Sequence, residues 1–214
     1  MDFVTQLATY DTQLFLFLNS LHNAFFDSFM ITFSNMKVWI PFYLVVVYLL
    51  FKNEGKKALW LVLFLVVGAV LSDQFSVLIK NLVERPRPTH NANISNFVHT
   101  VNNYKGGPFG FVSSHAANTI CFALLSSLII RRKLYTISVF LWVIVTGYSR
   151  IYLGVHYPLD IVGGLSAGTA SALLTFLLLQ EFKPNALPRS FEHAKYALAT
   201  LLLTVIGIVV YAFF

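Results

Sequence analysis

Three short stretches gather the residue types that chemistry at a phosphate ester requires: Lys80-Asn-Leu-Val-Glu-Arg85-Pro-Arg87-Pro88, Val112-Ser113-Ser114-His115 and Ser149-Arg150-Ile-Tyr-Leu-Gly-Val-His156. Displacement at phosphorus needs fixed positive charge around the equatorial oxygens, an in-line nucleophile and a proton donor for the leaving oxygen. Lysine and arginine supply the charge, and two histidines supply the other two parts.

Each stretch also has a plainer reading. Lys80 ends an apolar run, where a lysine commonly snorkels to the interface, and Arg85 and Arg87 suit headgroup anchors. Pro86 and Pro88 make a continuous helix through Arg87 unfavourable, so the chain is expected to turn and carry Arg87 back over the helix end. Ser113 and Ser114 precede a long apolar helix, and serine there caps free backbone amides. The same helix start receives phosphate readily. His115 holds a proton near neutral pH and can release it to an alkoxide. Arg150 and His156 flank a turn, and Pro158 suits the first position of the next helix. Asp160 follows His156 by four residues, a spacing that lets its carboxylate hold one imidazole nitrogen and leaves His156 as the nucleophile; it also suits a first-turn carboxylate facing the helix dipole.

The elements that must position these groups are transmembrane helices. The 214-residue chain is 57% hydrophobic and 11% charged, with a mean hydropathy of +0.71, against about 25% charge in soluble domains. Apolar segments near the spanning length of about 20 residues read at 35–51, 57–79, 115–130, 134–148, 159–179 and 195–214. The expected fold is all-α: a polytopic bundle of six transmembrane helices in one membrane domain over 1–214. Residues 1–34 differ. Leu14, Phe15, Phe17, Leu18, Leu21, Phe25, Phe26 and Phe29 recur at near-helical spacing, interrupted by Asn19, His22, Asn23 and Asp27. That pattern suits an amphipathic helix in the interface plane, with a polar-studded first span as the alternative. No cleavable signal peptide is read, because the first 20 residues lack a basic start and carry Asp2 and Asp11.

Charge placement orients the bundle. Nine of the 15 Lys and Arg, namely Lys52, Lys56, Lys57, Arg131, Arg132, Lys133, Lys183, Arg189 and Lys195, fall in loops on one side. The positive-inside bias makes that side cytoplasmic and turns the three motifs away from it. The net charge of +6 follows from topology and an anion site, without a nucleic-acid partner. The lone Cys121 lies in an apolar span, so no disulfide framework exists.

Lys80-x6-Arg87-Pro88, Ser113-x-His115 and Ser149-Arg150-x5-His156 resemble the three signatures of the type 2 phosphatidic acid phosphatase family, K-x6-R-P, P-S-G-H and S-R-x5-H. The resemblance runs over about 72–168, in the same order and at helix ends. It implies that Lys80, Arg87 and Arg150 hold the phosphate together with Ser113 and the amide of Ser114. It also implies that His115 protonates the leaving group, and that His156, backed by Asp160, forms a phosphohistidine that water hydrolyses. Neither metal nor cofactor is implied; the partners are the bilayer and a lipid phosphate. Two departures stand out: Val112 replaces the family's proline and Ser114 its glycine, with Gly106, Gly107 and Gly110 just upstream as a source of flexibility.

Asp73 lies seven residues before Lys80 on about the same helix face. An ionisable residue in a span is expected to be paired or functional. Asn118 suits an interhelical hydrogen bond, or a contact at the rim of the site.

The expected activity is therefore a metal-independent lipid phosphatase at the extracytoplasmic face of a membrane, with a bacterial inner membrane the natural setting. Undecaprenyl diphosphate and glycerophospholipid phosphates rank together as substrates, and lipid A behind them. Lipid phosphotransfer, and a binding or transport protein without turnover, are the alternatives.

Overall fold

The computed structural model describes residues 3–188 and 191–214; Asp2, used in the signal-peptide reading, and Arg189, used in the charge argument, lie outside the described residues. Among these the chain is helical: α1 Phe3–Ser20, α2 Ala24–Ser34, α3 Ile40–Glu54, α4 Ala58–Val83, α5 Ser114–Ile130, α6 Lys133–Tyr152, α7 Pro158–Phe182 and α8 Ala194–Phe213. Helices α3 to α8 coincide with the six apolar segments. The length and apolar character of these helices make the chain an integral membrane protein.

The count of six spans is not carried by length and composition alone. Four helical stretches, Met36–Val83, Lys133–Tyr152, Pro158–Phe182 and Ala194–Phe213, are long and apolar enough, or five if the bent pair α1–α2 counts as one span. The first stretch contains both α3 and α4, which pack on one another across a turn at Gly55–Lys57. Helix α5 has 17 residues, about 25 Å at 1.5 Å per residue, short of the roughly 30 Å hydrocarbon core.

The described part of the N-terminal segment, residues 3–34, forms not one amphipathic helix but two, bent by 115°. Asn23 causes the break: its side chain caps α2 by accepting the Phe26 amide at 2.9 Å. Helix α1 packs on α6 and α7, and α2 on α6 and α8, so both lie against helices that carry the motifs.

Helix α5 is the centre of the bundle, packed on α4, α6 and α7. Its approach to α7 is close because Gly164 and Gly168 face it; a Cβ on either would collide with the backbone carbonyl of Ser113 or Ala117. Two glycines four apart are a common means of bringing membrane helices together. The core beneath the site is aromatic and aliphatic, with Trp39, Phe42, Leu125 and Tyr135 fully buried.

Candidate active site

The three motifs meet at one end of the bundle. Helix α4 continues past Lys80 to Val83, a turn beyond the reading from hydropathy, and stops where Glu84 takes a left-handed conformation and returns its amide to the Lys80 carbonyl. The Pro-Arg-Pro segment then reverses as expected. Arg87 N–H donates to Pro108 O at 3.0 Å and Gly110 N–H to Arg85 O at 2.8 Å. The Arg87 guanidinium is fixed by Nε donating to Phe109 O at 3.0 Å.

Ser113 caps α5, its Oγ accepting the Ala116 amide, and Ser113 N–H donates to Asp160 O at 2.9 Å, which joins the second motif to the third. Ser114 occupies the first helical position. Its Oγ accepts from Lys80 Nζ at 3.0 Å and shares a hydrogen bond with Ser76 Oγ at 2.7 Å. His115 lies within electrostatic reach of Arg150, His156, Arg87 and Lys80. It lines a cavity of about 290 Å³ with Ser34, Asn35, Tyr104 and Arg150.

Arg150 sits in the last turn of α6, 3% exposed. Nη1 donates to Ser34 Oγ and Nη2 to Tyr104 Oη at 3.0 Å. Its Nε is buried with no protein partner, so a donor remains for a bound anion. A tight turn, with Val155 N–H on Arg150 O at 3.1 Å, carries the chain to His156, which is 1% exposed. Burial, and then the positive charges of Arg87, Arg150 and Lys80, hold the His156 imidazole well below the ordinary histidine value. That shift favours the neutral ring, the form in which an imidazole nitrogen can act as a base or nucleophile.

Asp160 is fully buried. One oxygen receives the Tyr157 amide at 2.9 Å and lies 3.4 Å from His156 Nδ1; the other receives Arg85 at 2.9 Å. The carboxylate can stand so near the chain because residue 110 is glycine, where a Cβ would lie 2.7 Å from Asp160 Oδ2. Gly110 thus gives room for Asp160 and Gly106 for the Arg87 guanidinium, and Gly106 also takes a left-handed backbone with φ +67°.

Asp73 and Asn118 pair with each other across α4 and α5, Asn118 Nδ2 donating at 3.1 Å. Among the described residues no group of three or more His, Cys, Asp or Glu assembles as a metal-ligand set. Reading the sequence missed Ser34, which meets Arg150, Asp11, which meets Arg85, and Ser76, which meets Ser114. Only Asp11, an acid amid apolar helix residues, carried a signal.

Comparison with known proteins agrees with this geometry. The chain is 34% identical over 217 residues to the lipid A 4'-phosphatase of Bacteroides thetaiotaomicron, covering 96% of both chains. It is 36% identical over 160 residues to the lipid A 4'-phosphatase of Porphyromonas gingivalis, covering 74% of this chain and 68% of that one. Its fold matches the crystal structure of the transmembrane PAP2 type phosphatidylglycerolphosphate phosphatase from Bacillus subtilis with a TM-score of 0.65 at 18% identity, over 83% of this chain and 88% of that one. The PAP2 superfamily pattern spans residues 57–184, from the start of α4 beyond the end of α7, and with all three of its motifs joined at one site the chain belongs to the PAP2 superfamily as an integral-membrane phosphatase.

Proposed function

We propose that this phosphatase removes a phosphate from a glycolipid of the lipid A type, at the membrane face away from the cytoplasm, by way of a phosphohistidine at His156. The observation that carries the substrate class is the similarity to a lipid A 4'-phosphatase along 96% of both chains. It reverses the order of substrates drawn from the sequence, which placed undecaprenyl diphosphate and glycerophospholipid phosphates first. The cavity beside His115 supports the same choice. Ser34, Asn35 and Tyr104 give it hydroxyl and amide groups, suited to a sugar alcohol as leaving group.

In this mechanism Lys80, Arg87 and Arg150 hold the equatorial oxygens, with the Ser113 and Ser114 end of α5 beneath them. The free Nε2 of His156 attacks phosphorus, the P–N bond forms and the P–O bond to the sugar breaks. His115 gives its proton to the departing alkoxide, then takes one from the water that hydrolyses the phosphohistidine. Asp73 and Asn118 support α4 and α5 behind these groups.

The orientation rests on charge. Lys52, Lys57 and Arg131 gather around one polar pocket with Asn185 and His193, and the positive-inside bias makes that end cytoplasmic. A bacterial inner membrane and six spans, α3 to α8, complete the topology of this single domain, with α1 and α2 over the motif-bearing end.

The test is phosphate release by purified protein in detergent from bisphosphorylated lipid A, undecaprenyl diphosphate and phosphatidylglycerol phosphate, with a chelator present and the lipid product weighed by mass spectrometry. Loss of one phosphate from lipid A at the highest kcat/KM is expected. A faster reaction with either other lipid overturns the substrate class and leaves the chemistry standing. Transfer of the phosphate to a second lipid would make the enzyme a phosphotransferase.

A further inference from the structure

Asp160 is not held by its own helix alone. Arg85, two residues before the motif arginine, places Nη1 2.9 Å from Asp160 Oδ1 and Nη2 2.7 Å from Asp11 Oδ2. Its guanidinium also lies over the Tyr157 ring, 4.0 Å from the centroid. Asp11 is buried in α1 and uses its second oxygen to accept the Leu159 amide at 2.9 Å, one of the free donors in the first turn of α7. A single guanidinium thus spans two buried carboxylates from distant parts of the sequence, with an aromatic ring beneath it. A snorkelling headgroup anchor makes none of these contacts.

The consequence concerns His156. Asp160 Oδ2 faces both the Tyr157 amide and His156 Nδ1, so the direction of that carboxylate sets the ring that must present Nε2 to phosphorus. With Oδ1 fixed by Arg85, the carboxylate cannot rotate. Without Arg85, Asp160 and Asp11 become two buried negative charges facing a gap, and Asp160 must turn or take up a proton.

We propose that Arg85 and Asp11 are positioning residues for the nucleophile, acting through Asp160, and that α1 is therefore part of the active centre. This rests on the reading of His156 as nucleophile. Lysine cannot replace Arg85, because one ammonium does not offer two divergent donors in a plane.

Two ligands separate positioning from phosphate binding and need no lipid substrate. Orthovanadate requires an in-line His156, whereas inorganic phosphate requires only the cations. In Arg85→Gln and Asp11→Asn, vanadate is expected to bind about 10-fold or more weakly while phosphate binding changes less than about 2-fold, and kcat on the lipid substrate falls with KM nearly unchanged. Methylguanidinium should restore part of the vanadate affinity to Arg85→Ala, since the arginine side chain is 22% exposed and its space opens to solvent. Adding Asp160→Asn to Arg85→Gln should cost little beyond the larger single loss, because both act through one carboxylate. Wild-type vanadate affinity in folded Arg85→Gln overturns the proposal. So does an equal loss of phosphate and vanadate, or a strictly additive double variant. Failure of wild-type protein to bind vanadate would instead remove the nucleophile reading itself.

Discussion

Ser114 Oγ accepts a hydrogen bond from Lys80 Nζ at 3.0 Å, so one of the two residues that depart from the family's second motif is tied to the first motif. The hydroxyl replaces no backbone function: the amide at the first position of α5 stays free for an anion. It adds a holder for the lysine and is itself held by Ser76, whose hydroxyl donates to the Asp73 carbonyl at 2.8 Å and so accepts from Ser114. Ser114→Ala should therefore raise KM about 3-fold to 10-fold by loosening Lys80, with kcat within about 2-fold, the signature of lost binding rather than lost chemistry. Steady-state kinetics check this, and a kcat loss with KM unchanged would contradict it.

Arg150 is held at two points, by Ser34 from α2 and Tyr104 from the loop before α5. Lysine cannot meet both and still face a phosphate oxygen. Arg150→Lys should lower kcat/KM by about 100-fold, or about 3 kcal/mol, whereas Tyr104→Phe, which removes one hydroxyl contact, should cost about 1 kcal/mol. A lysine variant with near-normal kcat/KM would show that the guanidinium geometry is not needed.

Asp73 lies within α4 and its carboxylate is met by Asn118 at 3.1 Å. Interhelical hydrogen bonds of this kind contribute about 0.5–2 kcal/mol in membrane proteins. Asn118→Leu should destabilise the protein by about that amount, read as a lower thermal midpoint in detergent, and leave kcat within about 2-fold. A large fall in kcat without a change in melting would place the pair in the chemistry.

The state of His156 makes a prediction about pH. Burial and three neighbouring cations depress its basicity in the folded protein, while in the unfolded chain it titrates at about 6.5. Below about pH 6.5 the unfolded state therefore binds a proton that the native state does not. Stability contributed by the neutral ring is full above that pH and declines below it, by up to about 1.4 kcal/mol per unit. Wild-type protein should lose more thermal stability between pH 7 and pH 5 than His156→Gln. The cations also act on the nucleophile, so Arg87→Gln should move the acid limb of the phosphorylation rate to higher pH. Equal acid sensitivity of wild type and His156→Gln would contradict the buried neutral ring.

The sequence made some of this legible and not the rest, for physical reasons. Six apolar segments mapped onto α3 to α8 because a long apolar run must form a helix that hides its backbone polar groups, whether lipid or protein surrounds it. The motif residues were legible because charged and imidazole groups are rare beside such segments. Helix ends were less so: α4 outran its hydropathy because the left-handed Glu84, rather than polarity, ends it. The bend between α1 and α2 depended on one capping contact of Asn23. Arg85 resembled an interfacial anchor because its two carboxylate partners lie 74 and 75 residues away along the chain. Ser34 and Ser76 are ordinary helix serines in the sequence, and only packing brings them to Arg150 and Ser114.

The central claim is that His156 carries the phosphate between lipid and water. The most direct measurement is rapid-quench trapping with phosphate-labelled lipid substrate, followed by peptide mapping of the labelled protein. An acid-labile, alkali-stable phosphate on the peptide bearing His156, absent in His156→Ala, is the predicted result. Label on another residue, or undiminished phosphate release by His156→Ala, would contradict the account.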